Sequence, residues 1–352
     1  MSQLTITAYY TRKTIKYGII LLLSFFILRT GFRVFKHYWS ILNPPPPPPP
    51  DTAFGKLPAI NFPDERGEKP ASFQLETIEG SLPTDFPESE KVYFIPQIGG
   101  KFLSLDKATA LAKTVGFQSQ PRKINENVYQ FDNSVRNTTL KINVLTENFE
   151  YSYSYLADQT LINPQTLPSE IEAIRIAKSF LTRISKLTNE LQEGEHRSSY
   201  WKISTDHLTR ADAPAEADFI RIDIFRKEVD EKYPIASPWA NQSLVSILIS
   251  GIDIQSDKVV EVKYTHFPAD FEKHATYPLK GIQQAWEELK SGNFFLASSG
   301  EYQVGNNVKI RKVSLGYSDL PSSAKFLQPI YIFQGDGNFW GYVPAISVEW
   351  SE

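Results

Sequence analysis

The segment PSEIEAIRIAKSFLTRISKL, residues 168–187, has the spacing that decides the fold. Pro168 and Ser169 mark a helix start, where proline is tolerated and a serine hydroxyl can cap free backbone amides. Apolar residues then recur every three or four positions, at Ile171, Ile174, Ala177, Phe180, Leu181 and Ile184. This period predicts an amphipathic helix that packs one face on another layer.

Strand-like segments follow this helix in an unbroken series. They are SYWKIST (199–205), DFIRIDIFRKEV (218–229), SLVSILISGI (243–252) and KVVEVKYTHF (258–267). They are rich in β-branched and aromatic residues, which favour strands. A helix followed by several strands predicts an α+β fold in which the helix packs on an antiparallel sheet.

The same order occurs on both sides of this region. Upstream, SLDKATALAKTVGF (104–117) predicts a helix from Ser104 to Gly116, and strand-like segments start near residues 127, 139 and 149. Downstream, YPLKGIQQAWEELKSG (277–292) predicts a helix, and strands follow at 307–319, 327–336 and 339–350. QGDGN, at 334–338, predicts a turn between the last two strands. We therefore predict three helix-plus-sheet units, at residues 71–160, 161–275 and 276–352.

The apolar run YGIILLLSFFIL, Tyr17 to Leu28, predicts a transmembrane anchor over residues 15–40. A cleaved secretory signal is the main alternative, but the sequence after the run is bulky and basic. A buried soluble helix is the other alternative. Basic residues flank the run equally. We therefore predict the orientation from the layout, with a cytoplasmic tail at 1–14 and the long body outside the cytoplasm.

Seven prolines, Pro44 to Pro50, follow the predicted anchor. A polyproline II segment of this length spans about 22 Å and needs no internal hydrogen bonds. We predict that residues 41–70 form a proline-rich spacer and an extended segment that hold the body away from the membrane. A ligand for proline-binding modules is the alternative interpretation.

Composition excludes several classes of function. The chain has 352 residues and no cysteine, which excludes disulfides and thiolate chemistry. The first 50 residues hold six of the 37 basic residues and none of the 40 acidic ones, so the remainder has a net charge of −9. A basic anchor suits an anionic lipid surface, and an acidic body argues against nucleic-acid binding. The five histidines show no metal-binding spacing. We predict no enzyme activity, cofactor or metal.

Short motifs give a family resemblance. EAIRIAKSFL, residues 172–181, resembles the opening helix of PepSY-type domains. The third unit is similar to the C-terminal region of YycH/YycI-type proteins, with matching residues at Tyr277, Pro278, Ala285, Leu315, Gly316, Tyr317 and Pro329. The resemblance implies a non-catalytic, membrane-anchored accessory protein that acts on a sensor kinase.

We therefore expect a regulatory or binding protein whose partner is another membrane or envelope protein. A cell-envelope hydrolase and a structural envelope component are the alternatives. The third unit has the densest aromatic content, which suits either core packing or an exposed aromatic groove. Trp340, with Phe339 and Tyr342, is the predicted partner-binding site, because it follows the turn at a hairpin end.

Overall fold

The computed structural model describes residues 3–42, 49–65, 67–97, 104–161, 166–254, 257–298 and 307–352. The chain divides into two units, residues 1–49 and residues 50–352, and each is described by itself. Within these residues the fold is mixed α+β, with one long apolar helix and mainly antiparallel sheets, since only strands β1 and β10 pair in parallel.

The first unit contains one helix, α1 (Gln3–Leu42). Residues Tyr9–Trp39 are long and apolar enough to cross a membrane, and none of this stretch is buried within the protein. The exposed side chains include Leu21, Phe25 and Leu28. An apolar helix with no protein around it is consistent with the predicted single-pass anchor. Pro44 to Pro48 of the predicted spacer lie outside the described residues.

The second unit contains four further α-helices and eighteen strands within the described residues. The helices are α2 (Ser104–Thr114), α3 (Glu170–Arg183), α4 (Asn189–Glu193) and α5 (Ile282–Lys290). The strands are β1 (Ser72–Leu75), β2 (Ser89–Phe94), β3 (Arg122–Lys123), β4 (Val128–Asn133), β5 (Thr138–Asn143), β6 (Phe149–Tyr153), β7 (His196–Ser204), β8 (His207–Arg210), β9 (Phe219–Ile224), β10 (Ile235–Ala236), β11 (Val245–Ile254), β12 (Asp257–Tyr264), β13 (Asp270–Pro278), β14 (Phe295–Leu296), β15 (Asn307–Ser318), β16 (Phe326–Leu327), β17 (Pro329–Gly335) and β18 (Phe339–Pro344).

Nine strands form one sheet in the order β3-β4-β5-β6-β12-β11-β9-β7-β8. Helices α2 and α3 contribute to the same core beneath it, through Ala108 and Ala112 of α2 and Ala173, Ala177 and Leu181 of α3. Strand β6 joins β12 in antiparallel register, so strands from the predicted first and second units belong to one continuous sheet. Repetition of separate helix-plus-sheet units is therefore not confirmed.

A six-stranded sheet, β1-β15-β17-β18-β14 with β10 also on β15, forms the other large layer. Helix α5 packs on it through Ala285, Trp286 and Leu289. A three-stranded sheet, β13-β2-β16, completes the unit. Strands β1 and β2 lie within the predicted first unit, but they pair with β15 and β13, far downstream.

Local signals in the sequence place most helix ends. The Ser169 side chain accepts a hydrogen bond from the Glu172 amide and caps α3, as predicted. Gly116 and Gly292 follow α2 and α5 with positive φ, a conformation that glycine adopts without strain. The predicted apolar stripe is wrong at Ile171, which is 83% exposed, while the small Ala173 is buried where α3 meets the sheet.

The aromatic residues of the third predicted unit lie mainly in the core. Tyr277, Tyr331 and Phe333 are fully buried. The QGDGN turn joins β17 to β18 as predicted, with Gly337 and Asn338 at positive φ. Core packing therefore accounts for most aromatic residues of the third predicted unit. Few of them are exposed enough to form a binding groove.

Candidate binding site: an open strand edge between two clefts

Strand β15 has two partners on the same edge, and they do not meet. Strand β1 pairs with residues Asn307–Ile310 in parallel register. Strand β10 pairs with Tyr317 and Ser318, also in parallel. Between them, residues 311–316 have no strand on this edge within the described parts of the chain. We call this six-residue stretch the edge slot.

The direction of the backbone groups in the edge slot follows from the neighbouring hydrogen bonds. The Tyr317 amide donates to Pro234 O at 2.8 Å, on the β10 side, whereas the Ser318 amide donates to Gln328 O at 3.0 Å, on the β17 side. Backbone groups alternate between the two edges of a strand. The amide and carbonyl groups of Val313 and Leu315 therefore point out of the sheet into the edge slot.

A cleft of about 610 Å³ lies on one face of the slot. Two tryptophans line it, Trp239 from the chain after β10 and Trp340 from β18, and Phe225 follows β9. Lys312 and Ser314 of β15 lie on its floor. The cleft lies between the end of the nine-stranded sheet and the outer face of the six-stranded sheet. We call it the aromatic cleft.

A second cleft, of about 340 Å³, borders the slot on the other face. Its lining includes Phe86, Tyr233, Val313 and Leu315, and Ile78, which is fully exposed. We call it the loop cleft, because residues 77–86 form one wall. Lys312 and Ser314 border both clefts, so the two spaces meet at the edge slot.

Most charges around the site are neutralised by neighbours. Arg311 donates to both carboxylate oxygens of Asp336 at 2.7 Å, and to Glu76 at 2.9 Å. Lys227 lies 2.8 Å from a Glu193 oxygen. Lys312 is exposed and has no ion pair among the described residues, so a positive charge stands unmatched near the β1 end of the slot.

One acid of the aromatic cleft, Glu195, is not arranged as a general acid. Arg197 donates to both carboxylate oxygens of Glu195, at 2.7 and 2.8 Å. This hydrogen bonding lowers the pKa of Glu195 despite partial burial. A carboxylic acid that donates a proton near neutral pH needs a raised pKa. Glu195 is arranged as a fixed anion.

A buried ion cluster fixes the walls of the aromatic cleft. Arg226 lies beyond β9, and its guanidinium donates to Glu190 at 2.8 Å and to Asp319 at 3.1 Å. The Arg226 side chain is 3% exposed, and its Nη2 has no hydrogen-bond partner among the described residues. The cluster joins the nine-stranded sheet to the residue that follows β15.

The three predicted contact residues have different positions. Trp340 is half-buried and lines the aromatic cleft. Phe339 and Tyr342 are 0% and 1% exposed, and the Tyr342 hydroxyl donates to Ser237 O at 3.0 Å. Phe339 packs in the core on the α5 side of the sheet, whereas Tyr342 lies on the same face as Trp340 and borders the cleft, although it is almost fully buried there. The prediction of a direct contact therefore rests on Trp340.

The sequence analysis missed Trp239, Lys312 and the edge slot itself. No local signal separates Lys312 from the other lysines, because its place depends on strands far away in sequence. Among the described residues, no group of three or more histidine or acidic side chains could hold a metal ion. His266 is instead buried, with Nε2 3.5 Å from the Thr188 hydroxyl.

Comparison with known proteins identifies no family. No family model matches the chain, and no curated protein matches it. Among solved structures it is similar to an uncharacterized protein from Eubacterium rectale, at 12% sequence identity over 73% of this chain and 82% of that one, with a TM-score of 0.36. The function is therefore argued from the geometry of the site.

Proposed function

We propose that the chain is a membrane-anchored protein whose body, outside the cytoplasm, binds and regulates another membrane or envelope protein. The observation that carries the proposal is the aromatic cleft, in which half-exposed Trp239 and Trp340 flank an open strand edge. Partly exposed tryptophans beside a groove are typical of binding surfaces. The long exposed apolar helix supports the membrane anchor.

The resemblance to YycH/YycI-type proteins makes a sensor kinase our first candidate for the partner. The PepSY-like part of this proposal rests on the sequence of α3, which forms the predicted helix and packs beneath the nine-stranded sheet. In this proposal the proline-rich segment is the spacer between anchor and body. The hydrolase alternative has less support, because Glu195 is held as an anion by Arg197.

Photo-crosslinking in the native membrane tests the proposal. A benzophenone amino acid replaces Trp340 in the full-length chain, and a second variant carries it at Val135. Val135 is 88% exposed and lies in the turn between β4 and β5, so it is a matched exposed position away from the cleft. We expect one membrane or envelope protein to be captured from position 340 and not from position 135. Equal capture from both positions would contradict the proposal.

Trp340→Ala adds a quantitative test with the captured protein. Aromatic anchors in interfaces typically contribute about 2 kcal/mol or more, so recovery should fall strongly. Trp350→Ala is the control, since Trp350 is also half-buried but packs near Tyr277. The melting temperature of both variants shows whether lost recovery reflects lost folding.

A further inference from the structure

We infer that the edge slot binds an extended peptide segment of the partner as an added β-strand. The inference rests on the proposed binding function and deepens it. The added segment pairs with the outward amide and carbonyl groups of Val313 and Leu315. It fills the place between β1 and β10 on the edge of the six-stranded sheet.

The length of the slot sets the length of the bound segment. Six residues, 311–316, separate the last residue paired with β1 from the first paired with β10. The Glu76 amide still donates to Ile310 O, and Pro234 lies against Gly316, so the unpaired backbone runs over about four residues, or roughly 13 Å at 3.3 Å per residue. Strands β1 and β10 occupy the same edge at both ends, so a long strand from a rigid sheet would collide with them. A short extended segment fits, with its ends turning away from the sheet.

The two clefts give the bound segment two different faces. Side chains alternate across a sheet, so every second residue of the segment would face the loop cleft. There it would meet Phe86, Tyr233 and the core side of β15. The residues between would face the aromatic cleft, beside Lys312 and Ser314. Backbone bonds would supply affinity, and the clefts would supply selectivity.

The unmatched charge of Lys312 indicates the chemistry of the partner segment. Its neighbours Lys309 and Arg311 are both engaged by Glu76. Lys312 borders the aromatic cleft near the β1 end of the slot, where an acidic side chain of the added strand would lie beside it. The segment that fits best therefore alternates apolar residues with polar ones that include aspartate or glutamate.

A synthetic heptapeptide provides the test. The probe is acetyl-Val-Glu-Val-Glu-Val-Glu-Val-amide, titrated by fluorescence anisotropy against the full-length chain in lipid nanodiscs. We expect saturable binding below about 1 mM, and binding at least about tenfold weaker when lysine replaces every glutamate. No saturable binding of the glutamate peptide would overturn the inference.

Two N-methylated versions of the glutamate peptide test the backbone pairing. One is methylated on two valine amides and the other on two glutamate amides. Amides of one set face β15 in an added strand and amides of the other set face solvent. We expect one version to lose binding by about tenfold or more and the other to retain it. Equal binding of both versions, or equal loss, would rule out strand addition.

Protein variants locate the binding. Lys312→Glu should weaken the peptide about tenfold, while Lys123→Glu, an exposed lysine on edge strand β3 of the other sheet, should leave it unchanged. The same loss in both variants would overturn the assignment to the slot. If the chain self-associates and Lys312→Glu abolishes that self-association, a second copy of the chain occupies the slot, and the inference of a partner segment is overturned. Crosslinking at position 340 without peptide binding would support the proposed function and contradict strand addition. Peptide binding without crosslinking would support strand addition at the slot and contradict the proposed partner.

Discussion

Arg226 Nη1 lies 3.1 Å from Asp319 Oδ1, and this contact joins the chain after β9 to the chain after β15. The two residues follow strands that belong to different sheets. Arg226 also donates to Glu190. The position of the aromatic cleft between those sheets therefore depends on a buried charge. Removing one member of such a cluster leaves the others desolvated and unpaired.

Arg226→Met should lower the free energy of unfolding by about 3 kcal/mol, because Asp319 would remain desolvated, and Glu190 half-buried, without their cation. Urea denaturation measures the loss. Arg311→Met is the control, since Arg311 also meets two acids, Glu76 and Asp336, but at the surface. Exposed pairs contribute little to stability, because water and salt screen them. Similar losses of stability in the two variants would show that burial does not determine how much the Arg226 cluster contributes to the free energy of unfolding.

Acid should destabilise the body through His266. Burial, with the nearby Arg226 and Lys186 charges, lowers the pKa of His266 to about 3. The unfolded chain binds a proton at this residue below its ordinary pKa of about 6.5, whereas the folded chain does not, so stability falls as pH drops from 6.5 towards 3. At roughly pH 5.5 the loss is about 1.4 kcal/mol relative to neutral pH.

His266→Gln should remove that part of the pH dependence, and denaturation at pH 7.5 and 5.5 measures it. His207→Gln is the control, because His207 is exposed beside Asp206. If wild type and His266→Gln lose the same stability on acidification, the buried imidazole is not the cause.

Gly316→Ala should loosen the junction between β10 and β15. A Cβ at this position would lie 2.6 Å from Pro234 O and 2.7 Å from the Ile332 side chain, too close for normal contact. We expect a loss of about 2 to 3 kcal/mol. Faster hydrogen exchange of the Tyr317 amide, which donates to Pro234 O, should accompany it. Gly281→Ala, where nothing lies within 4 Å, should cost at most about 1 kcal/mol. An unchanged hydrogen-exchange rate of the Tyr317 amide in Gly316→Ala would contradict the predicted clash with Pro234.

The body should fold without the anchor when the chain starts at Asp51. The Asp51 amide donates to the Thr276 hydroxyl, and the Thr276 amide donates back to the Asp51 carboxylate at 2.9 Å. We expect a soluble protein with a mixed α/β circular dichroism spectrum. A chain starting at Ile60 lacks the fully buried Leu57 and should be less stable by about 2 to 5 kcal/mol. A random-coil spectrum from the longer chain would contradict the prediction.

Protease treatment of right-side-out vesicles should digest the body, since we propose that it lies outside the cytoplasm. An antibody against a C-terminal tag reads the result, and inside-out vesicles serve as the control. Full protection of the tag in right-side-out vesicles, with digestion in inside-out ones, would reverse the orientation.

Local structure was predictable because its causes are local. The Ser169 cap and the turn at Gly337 each depend on a few adjacent residues, and both are present. The long apolar helix α1 was likewise predictable, because its apolar residues are consecutive in the sequence. Strand β13 was missed because DFEKHATYP has charged and exposed residues through its first half, where strand patterns are usually apolar.

The arrangement of the sheets was not predictable from local pattern. The edge slot exists only because β1 and β10 stop on either side of residues 311–316. Phe339 and Trp340 show the same limit, since alternation along β18 decides which ring faces the α5 core and which faces the cleft. Trp340 and Tyr342 share one face of β18 and both line the cleft, with Tyr342 the more deeply buried, whereas Phe339 packs in the core on the other face.

The pairing of β1 with β15 also constrains how the protein is made. Glu76 and Arg311, which meet at the end of this pairing, are separated by 235 residues of chain. Leu57 pairs with Ser351 over a still longer interval. Contacts of such high sequence separation slow folding, because the intervening loop must close before they form. During synthesis β1 therefore stays unpaired until β15, in about the last sixth of the body, has emerged, and a chain interrupted before residue 307 would leave β1 without its partner.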